Sequence, residues 1–161
     1  MPHESRLTRE LRGLLHSRRI AALGTITDEG TPFVSMVPFA VVPALGCIVI
    51  HISGLAAHTR YLNTRPAASL LVVQSEAPGE PVHALPRATL DGQARILEPD
   101  SEAWRACCAA YLQRFPEAQP MTELADFMFV AIEVKGARQV AGFGSARSID
   151  EEELRLALMP R

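Results

Sequence analysis

Residues 47–73 read CIVIHISGLAAHTRYLNTRPAASLLVV, which predicts a strand, a loop, a short helix and a second strand. In the first run, isoleucines at positions 48, 50 and 52 alternate with Val49, His51 and Ser53, so the strand has one apolar face and one mixed face. Ser53 is predicted to cap the helix, and Arg65-Pro66 is predicted to close it. The mixed face and the helix start are therefore the predicted place for a ligand.

The predicted helix carries His58, Thr59 and Arg60 close to its free amide groups. Amides at a helix start, the helix dipole and an arginine all favour negative charge, so this corner suits a phosphate dianion. The alternative is that His58 and Arg60 are ordinary solvated residues of an exposed short helix. The residues of this stretch leave both interpretations open.

The rest of the chain is predicted from periodicity and turn residues. Leucines at helical spacing indicate an amphipathic helix at 5–17, and Asp28-Glu29-Gly30 joins strands at 20–27 and 31–39 into a hairpin. Pro38 either places the second strand at an edge or bulge, or ends it. Further strands are predicted at 67–73, 87–97, 126–134 and from 137 to 140, with a loop at 74–86.

Two more helices are predicted from their caps. Asp100-Ser101 begins a helix that ends before Pro116, and Ser148-Ile-Asp-Glu151 is a capping box that begins the last helix. About seven strands with short connections and three to five helices favour an α+β fold, in which a largely antiparallel sheet closes into a barrel.

The composition limits the classes of partner that the chain is expected to bind. A chain of 161 residues is predicted to form one domain, and 16 Lys plus Arg against 18 Asp plus Glu leave a net charge of -2 without a basic run. We therefore expect a small-molecule substrate rather than nucleic acid or a membrane. Three cysteines, with Cys107 and Cys108 adjacent, and no signal peptide or membrane span indicate a cytoplasmic protein.

Sequence motifs identify no catalytic residues. The chain has no Gly-x-Ser-x-Gly elbow, no Gly-x-Gly-x-x-Gly loop after a strand and no Walker loop. The histidines at 3, 16, 51, 58 and 83 show no metal-ligand spacing, so no metal site is predicted.

Six segments occur in an order that resembles a known family. They are IAALGT (20–25), PFVSMVPF (32–39), HISGLAAHTRYL (51–62), RATLDG (87–92), DFMFVAIEV (126–134) and VAGFGSA (140–146). Together they resemble the pyridoxamine 5'-phosphate oxidase-like FMN-binding split barrels, and within these the HugZ-type haem-utilisation branch. The resemblance covers residues 5 to about 150. It implies a split β-barrel that forms a homodimer, with an FMN in each of two clefts at the subunit interface.

The resemblance also implies roles for individual residues. The strand of Ser35, Met36, Val37 and Pro38 would lie along the flavin ring, and His51, Ile52 and Ser53 would flank the ribityl chain and phosphate. His58, Thr59 and Arg60 would hold the phosphate, and Arg87 would reach the flavin of the other subunit. The oxidases have a lysine where His58 stands, and imidazole is only partly charged near neutral pH, so weaker FMN binding is expected.

Two departures from the family pattern limit the expected function. The tail lacks the Arg, Trp and Arg-x-His pattern of the pyridoxamine phosphate oxidases, so oxidation of vitamin B6 is not expected. In haem-degrading HugZ-type proteins the iron ligand lies in a C-terminal part that has no counterpart here. We therefore expect a single split-barrel domain over 1–161, without the C-terminal haem-utilisation extension.

The resemblance favours an FMN-binding flavoprotein, an FMN-dependent oxidoreductase of unknown substrate, in which the flavin carries the electron chemistry. The alternative is a haem-binding protein that uses the same dimer cleft, either as a binding module or chaperone or for haem degradation by the barrel alone.

Overall fold

The computed structural model describes residues 4–161, so His3 lies outside the described residues. Eight strands and five helices follow one another in a mixed order. The strands are β1 (Ile20–Ile26), β2 (Pro32–Pro38), β3 (Ala40–Val42), β4 (Cys47–Ser53), β5 (Ala67–Val73), β6 (Arg87–Ile96), β7 (Phe127–Val140) and β8 (Ala146–Ile149). The helices are α1 (Arg6–Ser17), α2 (Ala57–Thr64), α3 (Glu102–Arg114), α4 (Gln119–Thr122) and α5 (Glu151–Leu158).

All eight strands belong to one antiparallel sheet. Its order is β2-β1-β5-β6-β7-β4-β3, and β8 pairs with β7 off this path. The predicted α+β split barrel is therefore confirmed, with β2 and β3 as the two ends of the curled sheet. Both alternatives for Pro38 hold, because β2 pairs only with β1 in this order and the strand ends at Pro38.

Strand β7 runs without a break for 14 residues, where two separate strands had been predicted. Its pairing with β6 shifts register between Asp91 and Gly92, and this irregularity lets one long strand follow the curve of the sheet. At this point the backbones come unusually close. A Cβ added at Gly92 would lie 2.4 Å from the carbonyl oxygen of Glu133, so only glycine fits there.

The predicted alternation in β4 divides the molecule into two apolar clusters. Ile48, Ile50 and Ile52 enter the main core between the sheet and α1 and α5, whereas Cys47 and Val49 enter a second cluster beneath α3. Both clusters are apolar, which explains why almost the whole strand is buried and why its mixed face does not meet solvent.

Two predicted helix caps are wrong, and one is confirmed. Ser53 is the last residue of β4, and α2 begins later, at Ala57, because residues 53–56 form a turn in which Ser53 Oγ accepts a hydrogen bond from the Leu55 amide. Ser148 belongs to β8, and the cap of α5 is Asp150. The predicted cap of α3 is confirmed, because Ser101 caps it through its side chain, and Ser5 caps α1 in the same way without having been predicted. Within the described residues, none of the helices combines the length and apolar character needed to cross a membrane.

Candidate functional site

Helix α2 lies along strand β2 at the end of the sheet. Ser35 Oγ and His58 Nδ1 are joined by a hydrogen bond of 2.9 Å, and the rings of Phe33 and Tyr61 pack edge to face with their centroids 5.4 Å apart. Further along, Arg65 donates a hydrogen bond of 2.8 Å to the carbonyl oxygen of Thr27. These contacts follow one another along the helix and the hairpin, so they fix α2 over the edge strand.

One hydrogen bond orients the His58 ring, and burial favours its uncharged form. Its side chain is half-buried, and this burial lowers the pKa of the imidazole below its ordinary value. Nδ1 is occupied by Ser35, and Nε2 forms no hydrogen bond within residues 4–161. A neutral imidazole supplies no positive charge to a phosphate group. It does offer an unshared electron pair, as a metal ligand must.

The two neighbours of His58 have different environments. Thr59 is buried, and its hydroxyl donates a hydrogen bond of 2.5 Å to the carbonyl oxygen of Ser53, so it ties α2 to β4. The Arg60 side chain is 65% exposed and lies 3.3 Å from an Asp28 carboxylate oxygen. An exposed ion pair of this kind contributes little to stability, so Arg60 can exchange Asp28 for another anion at small cost.

The structure does not bring His51 together with His58. His51 is only 6% exposed and lies beneath α3, with its ring centroid 4.3 Å from that of Phe129 and 5.2 Å from that of Phe127. Burial lowers the pKa of His51 to about 4, and its Nδ1 has no hydrogen-bond partner within the described chain. Ile52 points the other way, into the main core. Both positions are those of packing residues.

The outer face of β2, β1 and β5 is apolar and exposed. Val34 is 66% exposed and Met36 is 62% exposed, although both lie in the middle of a strand. The register places them opposite Gly24 and Ala22, on the face shared with Leu71 of β5. A cavity of about 650 Å³ opens on this face. Its lining also includes Ile20, Ser35, Val73 and Leu85.

Other predicted site residues have less access to this cavity. Val37 is buried in the main core, and Pro38 lies at the end of β2 opposite Ile20. Arg87 lies opposite Val73 in the register, but its Nη1 donates a hydrogen bond of 3.0 Å to the carbonyl oxygen of Leu85. The structure therefore groups Ser35 and Met36 with the cavity, and Ser35 with His58.

Sequence reasoning missed Arg18, which lines the rim of the same cavity. It follows α1 and precedes β1, and its Nη1 donates a hydrogen bond of 2.5 Å to Ser75 Oγ. Ser75 belongs to the loop 74–86, so this contact spans more than 50 residues and no local pattern could have found it. Among residues 4–161, no group of three or more His, Cys, Asp or Glu side chains is arranged to hold a metal ion.

The sequence model of the pyridoxamine 5'-phosphate oxidase family matches residues 7–141, which is most of the chain. The chain belongs to this family. The match spans β1 to β7 and α2. It therefore contains both the contact between α2 and the edge strand β2 and the apolar outer face of β2, β1 and β5.

Relatives within the family are named for haem. The chain is 32% identical, over 152 residues, to a Vibrio cholerae protein named haem oxygenase HutZ, a match that covers 94% of this chain and 85% of HutZ. It resembles the structure of a haem-binding protein from Mycobacterium smegmatis with a TM-score of 0.84 and 30% identity, over 94% of this chain and 60% of that chain. A crystal structure of HutZ, there called a haem storage protein, gives a TM-score of 0.74 with 30% identity, over 83% of this chain and 94% of that chain.

These names correct the predicted activity. An FMN-dependent oxidoreductase was expected, but the relatives are named as haem oxygenase, haem-binding or haem storage proteins, and the expectation is wrong. The chain spans less than two thirds of the Mycobacterium smegmatis protein, and 44% of a chloroplast haem oxygenase, HOZ, from Arabidopsis thaliana to which it is 33% identical. The burial that lowers the pKa of His58 agrees physically with the correction, because it disfavours the charged imidazole that would bind a phosphate.

Proposed function

We propose that this chain is a haem-binding protein that takes one haem per subunit on the outer face of β2, β1 and β5. The exposed apolar cavity supports the proposal most strongly. A cavity of about 650 Å³ lies within the range that suits a ligand of this size, and a porphyrin would cover side chains such as Val34 and Met36 that are otherwise in contact with water.

We propose His58 as the protein ligand to the haem iron. A histidine that ligates through Nε2 carries its proton on Nδ1, and a hydrogen bond from Nδ1 to an acceptor fixes that tautomer. Ser35 Oγ lies 2.9 Å from His58 Nδ1 and can accept this bond. Ser35 lies between Val34 and Met36, so its side chain and His58 are on the opposite face of β2 from the cavity. Because β2 is an edge strand, a haem ligated by His58 would extend around this edge.

The other described histidines fit this role less well. His51 is enclosed by aromatic rings, and His16 is held against α5, where its Nε2 is buried. His83 is exposed in the loop 74–86, and its ring has no hydrogen-bond partner within the described chain that would fix a tautomer. His83 is therefore suited to be the control position.

The predicted homodimer and the remaining predicted site residues belong to the same proposal. A second copy would cover the part of the apolar face that the ligand leaves exposed, since apolar patches of this kind mark interaction surfaces. Arg60 would provide positive charge near the haem. Met36 would contact the porphyrin, and Arg87 would contact the haem of the other subunit.

A second candidate function is haem degradation. It is supported by the names of two relatives, HutZ and HOZ, both called haem oxygenase. The test is to supply the haem complex with a reductant and oxygen. A biliverdin-like product would support degradation, whereas intact haem after many equivalents of reductant would leave binding as the function.

Haem binding and iron ligation are tested by one titration series. Haem is added to the purified full chain, to His58→Ala and to His83→Ala, and the Soret band and the electron paramagnetic resonance of ferric iron are recorded. We expect wild type and His83→Ala to give the same spectrum, and His58→Ala to show a shifted Soret band and a changed ferric spectrum. Identical spectra for all three proteins would contradict His58 as the ligand. Failure of wild type to bind haem would contradict the function.

A further inference from the structure

The rim of the apolar cavity carries one cation that has no ionic partner in the described chain. Arg18 lines the cavity beside Ile20, and its hydrogen bond to Ser75 Oγ is its one side-chain bond within residues 4–161. Its Nε is buried and has no hydrogen-bond partner there. None of the ion pairs found among the described residues includes Arg18, although the Glu76 carboxylate lies on the same rim.

An arginine in this state costs stability unless something compensates it. The Nη1 bond of Arg18 to Ser75 is exposed, but its Nε is a buried donor without a partner in the described chain, and such a donor is unfavourable. The guanidinium group has five N–H donors, and the bond to Ser75 uses one of them. The remaining donors are therefore available to a ligand that enters the cavity.

The backbone of Arg18 is held firmly in place. Its amide donates a hydrogen bond of 3.1 Å to the carbonyl oxygen of Leu14, which ends α1. Its carbonyl oxygen accepts a bond of 2.7 Å from Arg114 Nη1. Arg114 also donates to the carbonyl oxygens of Leu15, His16 and Phe39. Because this network joins α3 to the end of α1 and to the residue after β2, it fixes the backbone from which the Arg18 side chain extends.

We propose that Arg18 binds a carboxylate of the ligand that occupies the apolar cavity. This inference rests on the proposed function, in which the ligand is haem and the carboxylate is a propionate group. Arginine binds carboxylates through paired, charge-assisted hydrogen bonds, and the apolar floor of the cavity reduces the competition from water. Arg18 therefore selects a planar apolar ligand that has an acidic edge over one that is apolar throughout.

The proposal is tested with a ligand pair that differs only in the carboxylates. Haem and haem dimethyl ester are titrated, in the same detergent buffer, into the wild-type full chain, Arg18→Gln, Arg18→Ala and Arg105→Ala. Arg105 is an exposed arginine on α3 and serves as the control. Binding is followed by the Soret band and by quenching of the fluorescence of Trp104, the single tryptophan.

We expect wild type and Arg105→Ala to bind haem roughly tenfold or more tightly than the ester, as for a lost charge-assisted bond. Both Arg18 variants should lose most of this preference for haem over the ester. If wild type binds both ligands equally well, or if the Arg18 variants keep the full preference for haem, the role of Arg18 is refuted while haem binding stands. If wild type binds neither ligand, the proposed function itself fails, and this inference with it.

Discussion

Protonation of His51 should lower the free energy of unfolding at acidic pH, and His51→Leu should remove this effect. His51 is surrounded by uncharged rings: the centroid of Phe129 is 4.3 Å away, that of Phe127 is 5.2 Å away and that of Tyr111 is 5.6 Å away. No carboxylate contributes to its pKa, which burial alone lowers from 6.5 to about 4. The folded protein therefore keeps the imidazole neutral at pH values where the unfolded chain protonates it.

The sign and size of the effect follow from this difference in pKa. Because the unfolded state binds the additional proton below pH 6.5, the free energy of unfolding is unaffected above that pH and falls as the pH decreases towards 4. Between pH 7.5 and pH 5, His51 should remove roughly 2 kcal/mol from the free energy of unfolding. His16 and His58 also have pKa values lowered by burial and act in the same direction, so only a comparison with a variant isolates His51.

Urea unfolding of wild type, His51→Leu and His83→Leu at a series of pH values measures the effect. Leucine has a similar volume and no titrating group, so any constant change in stability at His51 cancels when the slopes against pH are compared. We expect the His51→Leu protein to lose roughly 2 kcal/mol less than wild type between pH 7.5 and pH 5, and His83→Leu to follow wild type. Equal slopes for wild type and His51→Leu would refute the buried, neutral state of His51.

Three substitutions test the fold itself by urea unfolding. Gly92→Ala should lower the free energy of unfolding by about 2 kcal/mol or more, because its Cβ would meet backbone at 2.4 Å; an unchanged stability would exclude this close approach. Its matched control, Gly13→Ala, should stabilise by about 0.5–1 kcal/mol, since Gly13 lies inside α1 with no atom within 4 Å of the added Cβ. Arg114→Leu should cost about 2–3 kcal/mol by leaving carbonyl oxygens of α1 and Phe39 unpaired, and a loss below 0.5 kcal/mol would show that water replaces Arg114.

Local patterns predicted most of the elements and much of the sheet. The alternation in β4, the hairpin turn at residues 28–30 and the serine cap of α3 each depend on residues close in sequence, and all were confirmed. The predicted caps at Ser53 and Ser148 are wrong. The Ser53 side chain hydrogen-bonds within the turn before α2, and Ser148 lies in strand β8. The continuity of β7 could not be predicted, because the strand contains an extra residue, Lys135, opposite the step from Asp91 to Gly92 in β6, and this pairing is distant in sequence.

The candidate site was harder to predict because its contacts are distant in sequence. The mixed face of β4 was taken to face a ligand, but in the structure it packs against α3, and a single strand cannot reveal which helix will cover it. The hydrogen bond between Ser35 and His58 spans 23 residues, and the contact between Arg18 and Ser75 spans 57. The resemblance named Ser35 and His58 separately; their direct contact required the fold.

The most direct test of the central claim is a parallel titration of haem and FMN into the purified full chain, followed by the Soret band and by flavin fluorescence. We predict saturable binding of one haem per subunit and no saturable quenching of FMN. Saturable binding of FMN with no Soret change on addition of haem would contradict the account, because the apolar face and His58 would then serve a flavin after all.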